Sequence, residues 1–175
     1  MRRFRLRTAW AASALVTLAW ASAAADEPKA LAPISQRYQS AEASETPDFQ
    51  RHVAPLMGRL GCNGRSCHGS FQGRGGFRLS LFGFDFKFDH ESLVGGESPR
   101  VNREQPDESL LIAKPTDEDN HEGGQRYAKG SWQHHVFKKW IAEGATFEAT
   151  KVQVLQSLEV APAEVVSSRA GEAVQ

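Results

Sequence analysis

The chain has no apolar run approaching the roughly 20 residues that an ordinary membrane span needs. It has only two cysteines and two methionines, one of which is the initiator. It has no surplus of either charge, since 21 Lys and Arg stand against 21 Asp and Glu. No internal repeat is visible. Each shortage narrows the reading. Without a long apolar run, an integral membrane protein is disfavoured. Without a cationic surplus, nucleic acid and anionic membranes are poor main partners, because both reward clustered Lys and Arg. With two cysteines, thiol chemistry is confined to one pair.

The first residues carry a different signal. Met1-Arg2-Arg3-Phe4-Arg5-Leu6-Arg7 is a basic opening, Ala9 to Trp20 is a short apolar run, and Ala23-Ala24-Ala25 offers small residues before Asp26. That three-part pattern predicts a secretory signal peptide over 1–25. Arg2-Arg3 hints at twin-arginine export, but the rest of that pattern is poor, which favours the general route. The expected destination is the periplasm or the cell surface, with no membrane span after cleavage. Removing 1–25 leaves 17 basic against 21 acidic residues, a net charge of −4.

Residues 26–46 are rich in Ala, Ser, Glu, Gln and Pro, lack hydrophobic periodicity, and read as a flexible linker. The folded domain is expected over 47–147. Asp48–Leu60 predicts a helix, with Phe49, Val53, Leu56, Met57 and Leu60 on one face. Asp48 is its N-cap, Pro55 its kink and Gly61 its stop. Cys62 to Gly83 reads as glycine-rich loop, with Phe77–Phe82 extended. Asp107–Ala113 predicts a short helix between Pro106 and Pro115. Ser131–Glu143 is the clearest helix, burying Val136, Phe137, Trp140 and Ile141. The first and last helices are expected to pack together. His134 and His135, at the start of the last helix, are expected on the surface. The expected class is all-α. The segment 148–175 has β-favouring runs, Val152–Leu155 and Leu158–Val160, and reads as a linker leading into a further β domain.

Chemistry concentrates in Cys62-Asn63-Gly64-Arg65-Ser66-Cys67-His68. The haem-attachment signature is Cys-x-x-Cys-His, and here four residues separate the cysteines. Two thiols can join the porphyrin vinyl groups while the adjacent imidazole reaches the iron. The extra residues, helped by Gly64, would bulge outward. Other readings stay open on spacing alone. Cys62 and Cys67 can form a disulfide in an oxidising compartment, stapling an exported interaction module without cofactor. Cys62, Cys67, His68 and His121 can hold zinc. The pair can also remain free thiols. Phe71 to Gly76 is no phosphate loop, for the Lys-Ser/Thr ending is missing. Its glycines would let backbone pass close to a flat cofactor.

Phe49 to Leu60, the cysteine segment with Gly69-Ser70-Phe71-Gln72-Gly73, and Gly75 to Gly83 together resemble the planctomycete-type cytochrome c domain. Ser109-Leu110-Leu111, Lys114-Pro115-Thr116 and Trp140 to Ala145 extend the likeness, which covers about Phe49 to Ala145. The Cys-x4-Cys-His variant occurs in that family. The resemblance implies a small cytochrome c-like helical domain with one haem c, covalently held at Cys62 and Cys67, and His68 as proximal iron ligand. It implies an electron-transfer module with a redox partner protein, rather than an enzyme. An open distal face would instead suit a haem enzyme or sensor. Members commonly precede larger exported domains, and the tail is similar to the start of a bacterial Ig-like module. Relatives often place a methionine in the loop before the last helix. This chain has none there, and Met57 reads as core, so His121 becomes the expected distal ligand. His52, His90, His134 and His135 are rivals. Arg74, Arg78 and Arg126 are candidates to pair with the haem propionates.

Overall fold

The computed structural model describes residues 31–154, 156, 157, 164 and 166. The expected signal peptide lies outside them, as does the expected run Leu158–Val160. The described part is helical, and its one β feature among the described residues is an isolated antiparallel bridge between Arg74 and Phe77. No described helix is long and apolar enough to cross a membrane. The all-α expectation holds.

The N-terminal arm differs from the linker predicted over 26–46. Ile34–Arg37 forms a helical turn, α1, and Tyr38 is fully buried. The Tyr38 ring lies 5.8 Å from that of His52, and its carbonyl accepts from His135 Nδ1 at 3.0 Å. Glu45 pairs with both Arg37 and His52. One aromatic in a polar stretch leaves no periodic signature, yet its large apolar face is enough to dock the arm.

Asp48 caps the next helix as predicted, its Oδ1 accepting from the Arg51 N–H at 2.7 Å. The helix then opens with a π turn, Phe49–Val53, before continuing as α2, Ala54–Arg59. Pro55 is the physical reason. It has no N–H and its ring crowds the carbonyl four residues back. In the widened turn the Ala54 N–H reaches the Phe49 carbonyl instead, so the predicted kink takes the form of a π-bulge. Gly61 stops the helix at φ +79°. Its N–H bonds to the Gly58 carbonyl at 3.0 Å, and the Cys62 N–H bonds to that of Met57 at 2.9 Å. This paired closure is a Schellman cap, which fixes Cys62 against the helix end.

α3, Phe86–Val94, is absent from the predicted order. Its cap is Asp85, which accepts from the Phe88 N–H at 2.9 Å. The stripe is hidden because one of its two buried positions is a carboxylate, Asp89, beside Leu93. Asp89 is satisfied by the Ser80 hydroxyl at 2.8 Å and the Ser80 N–H. The predicted helix Asp107–Ala113 is split into a 3-10 turn, Pro106–Glu108, and α4, Leu110–Ala113. The break is Ser109, held extended by its hydroxyl, which accepts from the Asn102 N–H at 2.8 Å.

α5, Trp132–Ala142, follows its predicted cap Ser131 and ends at Gly144, φ +102°. The expected packing of first and last helices holds. Phe49 and Trp140 have ring centres 5.5 Å apart, and Phe49, Val53, Phe137, Trp140 and Ile141 are all buried. Full burial of each aliphatic or Phe side chain stabilises by about 1.5–3 kcal/mol. His134 departs from its expected surface position. It is buried with Nε2 3.1 Å from Asp107 Oδ1, because the split before α4 turns that carboxylate toward α5. His135 is half-buried under Tyr38.

Two segments expected to be extended or β-favouring form no strand. Phe77–Phe82 forms no strand, and Leu81–Gly83 is a 3-10 turn with Phe82 at φ +58°. In the tail, Val152–Val154 are not in a strand, while Leu155 lies outside the described residues. Here the Gln153 N–H bonds to Gln50 Oε1 at 2.9 Å, a side-chain clamp in place of a sheet partner.

Candidate functional site

The cysteine segment folds into a tight loop that begins at the α2 cap. The His68 N–H reaches back to the Cys62 carbonyl at 2.9 Å, and the Cys67 N–H to that of Gly64 at 3.0 Å. The inserted residues do not all bulge outward. Asn63 is buried, while Arg65 and Ser66 face solvent. Asn63 is drawn in because its carbonyl accepts the Phe82 N–H at 3.1 Å and packs directly on Gly69. Cys62 and Cys67 are both free thiols on the wall of one cleft.

His68 enters the same cleft, aimed by the turn that follows. Gly75 and Gly76 take φ of +61° and +70°, values that cost glycine little. That turn presents two carbonyls to His68 Nδ1, Phe77 at 3.0 Å and Arg74 at 3.1 Å. These glycines thus build the support of the His68 ring, and Gly75 also lines the cleft. Across the cleft stands His121, whose Nδ1 donates to the Gly124 carbonyl at 2.8 Å. Gly123 must be small there, since a Cβ would sit 2.9 Å from His121 Cε1.

The two imidazoles form a matched pair. Their ring centres are 6.5 Å apart and their planes differ by 18°. Each Nδ1 faces carbonyl oxygen, so each carries hydrogen, and neither Nε2 has a hydrogen-bond partner among the described residues. Metal-binding histidines use this arrangement, with the second ring nitrogen donating to a carbonyl or carboxylate. Burial holds His68 below the ordinary histidine pKa, so its ring is neutral at neutral pH.

The rival histidines do not line the cleft. His52 accepts the Asp48 N–H at Nδ1, 2.9 Å, and places Nε2 3.0 Å from Glu45. His90 Nε2 donates to the Ala145 carbonyl at 2.7 Å. His134 and His135 are held by Asp107 and Tyr38. Met57 is buried, as expected of core, and also forms cleft wall.

The cleft is open to solvent and holds about 270 Å³, just below the roughly 300 Å³ at which ligand pockets usually begin. Its apolar surface includes Phe77, Leu79, Leu110, Leu111 and Pro115. Arg74 and Arg126 line it; Arg78 does not, and stacks its guanidinium 5.6 Å over Phe71 and 5.1 Å over Phe88. Arg100 and Lys114 join the lining with no forewarning in the sequence, brought in by the α3–α4 connection and the end of α4. Burial pushes the Cys62 thiol up to about 11, so it is a thiol rather than a thiolate at neutral pH. The Cys67 sulfur lies 3.9 Å from Arg126 Nη2.

Donor chemistry separates two metal readings. No group of three or more His, Cys, Asp or Glu placed to hold a metal ion occurs among the described residues, so a four-ligand zinc site is not assembled. Porphyrin iron asks less of the chain, only axial ligands, because the macrocycle supplies the rest. Two metal–imidazole bonds of about 2 Å each, plus the two ring radii, span about 6 Å. The 6.5 Å between ring centres matches that span in length, and Cys62 and Cys67 line the same cleft as both rings, the donor set that covalent attachment of a haem needs.

No family model, curated protein or solved structure matches the chain. The likeness to planctomycete-type cytochrome c domains therefore rests on the motifs alone.

Proposed function

We propose that the chain is an exported haem-binding, electron-transfer module. One haem c is held covalently by Cys62 and Cys67, with His68 as proximal and His121 as distal ligand. The observation that carries this is the pair of imidazoles facing one apolar cleft, each with Nδ1 engaged by a carbonyl and Nε2 free. Bound there, the haem supplies a one-electron couple whose potential depends on axial ligands and burial. The chain's residues do the rest. The Arg74 and Phe77 carbonyls fix the proximal ring, Gly124 fixes the distal one, and the leucines exclude water. Two histidines give a lower potential than a His/Met pair, because methionine ligation raises it. Were His68 and His121 both to hold the iron, they would leave no open site for a substrate, which favours electron transfer over catalysis. The basic, apolar and alanine-ended segment 1–25 supports export to the periplasm or surface.

The test is the reduced pyridine haemochrome spectrum of protein purified from its own host after acid-acetone extraction. A c-type band surviving extraction is expected. No band, with a single intramolecular disulfide by mass, overturns the proposal and leaves a stapled interaction module.

A further inference from the structure

The charge inside the cleft is lopsided. Arg74, Arg100, Lys114 and Arg126 line it against one acid, Glu122. Arg74 takes Glu122, Nε to Oε2 at 2.8 Å. Among the described residues the other three cations have no carboxylate partner. Arg100 is half-buried and held in place. Its N–H bonds to the Leu93 carbonyl at 2.7 Å, and its own carbonyl accepts from Leu111 at 3.0 Å. Its guanidinium stacks 5.1 Å over Phe77, whose ring lies 4.8 Å from that of His68. Lys114 Nζ donates to the Asn120 carbonyl at 2.8 Å, beside His121. Arg100 and Arg126 are half-buried, and a cation held in a partly desolvated wall without a counter-charge is costly until an anion meets it, whereas Lys114 is exposed and only adds to the positive charge. The apolar lining asks for a flat apolar ligand, and the three cations ask for carboxylates on it.

We propose that Arg100 is the principal carboxylate-binding residue of the cleft, with Lys114 and Arg126 assisting. The inference rests on the haem reading, in which the carboxylates are the two propionates. Arg100 suits the role because a guanidinium fork meets both oxygens of a carboxylate while its face stays stacked on the aromatic ring.

The experiment uses the holoprotein and three variants: Arg100→Gln, Arg100→Lys, and Arg78→Gln as an arginine outside the cleft. The midpoint potential and the propionate bands in resonance Raman are read in each. Arg100→Gln leaves carboxylate charge uncompensated, so the reduction equilibrium moves about tenfold toward the ferric form, 59 mV for one electron. Its propionate bands move as well. Arg100→Lys keeps the charge and recovers most of the potential, with the bands still altered. Arg78→Gln matches wild type. Unmoved potential and bands in Arg100→Gln overturn the proposal. So do equal potential shifts in both Arg100 variants, which would mean lost packing on Phe77. If Arg100→Gln does not fold, Arg100→Lys decides alone: altered bands at wild-type potential support the role, and unaltered bands overturn it. Wild-type protein lacking a haemochrome band overturns the haem reading and this proposal together, whereas a haem-loaded but indifferent Arg100→Gln overturns only this one.

Discussion

Replacing Gly69 with alanine isolates what the four-residue cysteine spacing costs the fold. Gly69 follows His68 directly. A Cβ there would lie 2.0 Å from the Asn63 carbonyl oxygen, 2.7 Å from its carbon and 3.1 Å from the Gly64 oxygen. Its φ is not in the left-handed region, so the conflict is one of space. Relieving it takes a displacement of about 1 Å in buried backbone that also accepts the Phe82 N–H at 3.1 Å. Overpacking of this kind costs about 1–3 kcal/mol. At roughly 4 °C per kcal/mol for a domain of this size, Tm should fall by about 4–12 °C. Gly75→Ala is the comparison. A Cβ at Gly75 meets nothing within 4 Å, so only its φ of +61° is strained, about 1 kcal/mol. Thermal unfolding by circular dichroism ranks the two, and haem per chain should drop in Gly69→Ala because Asn63 lies between the cysteines. Wild-type Tm and haem content in Gly69→Ala, or a larger loss in Gly75→Ala, would refute the reasoning.

Two further predictions concern histidines. Under the haem proposal, His121→Ala should open the iron to carbon monoxide while haem stays attached at Cys62 and Cys67; a haem-loaded variant that refuses carbon monoxide removes His121 from the distal role. Acid stability should fail in a histidine window. Burial lowers the pKa of His52 and of His134 below 6.5, so the stability they support is present above 6.5 and is lost as pH falls through their lowered values. Protonating His52 also destroys its acceptor for the Asp48 N–H. Asp89 works in the opposite sense. Burial raises its pKa, so its contribution is present below the ordinary carboxylate value and lost as pH rises through the raised one. Thermal melts from pH 7.5 to 5 should show a declining Tm that His52→Gln flattens; an identical decline in that variant rejects the assignment.

The sequence by itself determined the outer helices and which residues of the loop between them can carry chemistry. Periodicity, the Asp48 and Ser131 caps and the Gly61 and Gly144 stops are local features, and local backbone physics decides them. Cys62, Cys67 and His68 were legible because they are neighbours in the chain, and their convergence on one cleft needs little tertiary structure. His121 was reached only through a missing methionine in its loop. That its ring stands 6.5 Å from His68, with Nε2 free, is decided by packing across 53 residues of chain. The π turn at Pro55 was foreseeable as a disturbance but not in form, since the neighbouring helices choose how a missing N–H is absorbed. α3 escaped because its buried carboxylate is balanced by Ser80, a partner nine residues away that no periodic pattern reports. Tyr38 escaped for a similar reason, a single anchor whose site is built by His52 and His135. The exchange of Arg78 for Arg100 at the cleft is the most instructive case. Both are arginines near aromatic residues, and only the fold decides which ring each one covers and whether that ring borders His68.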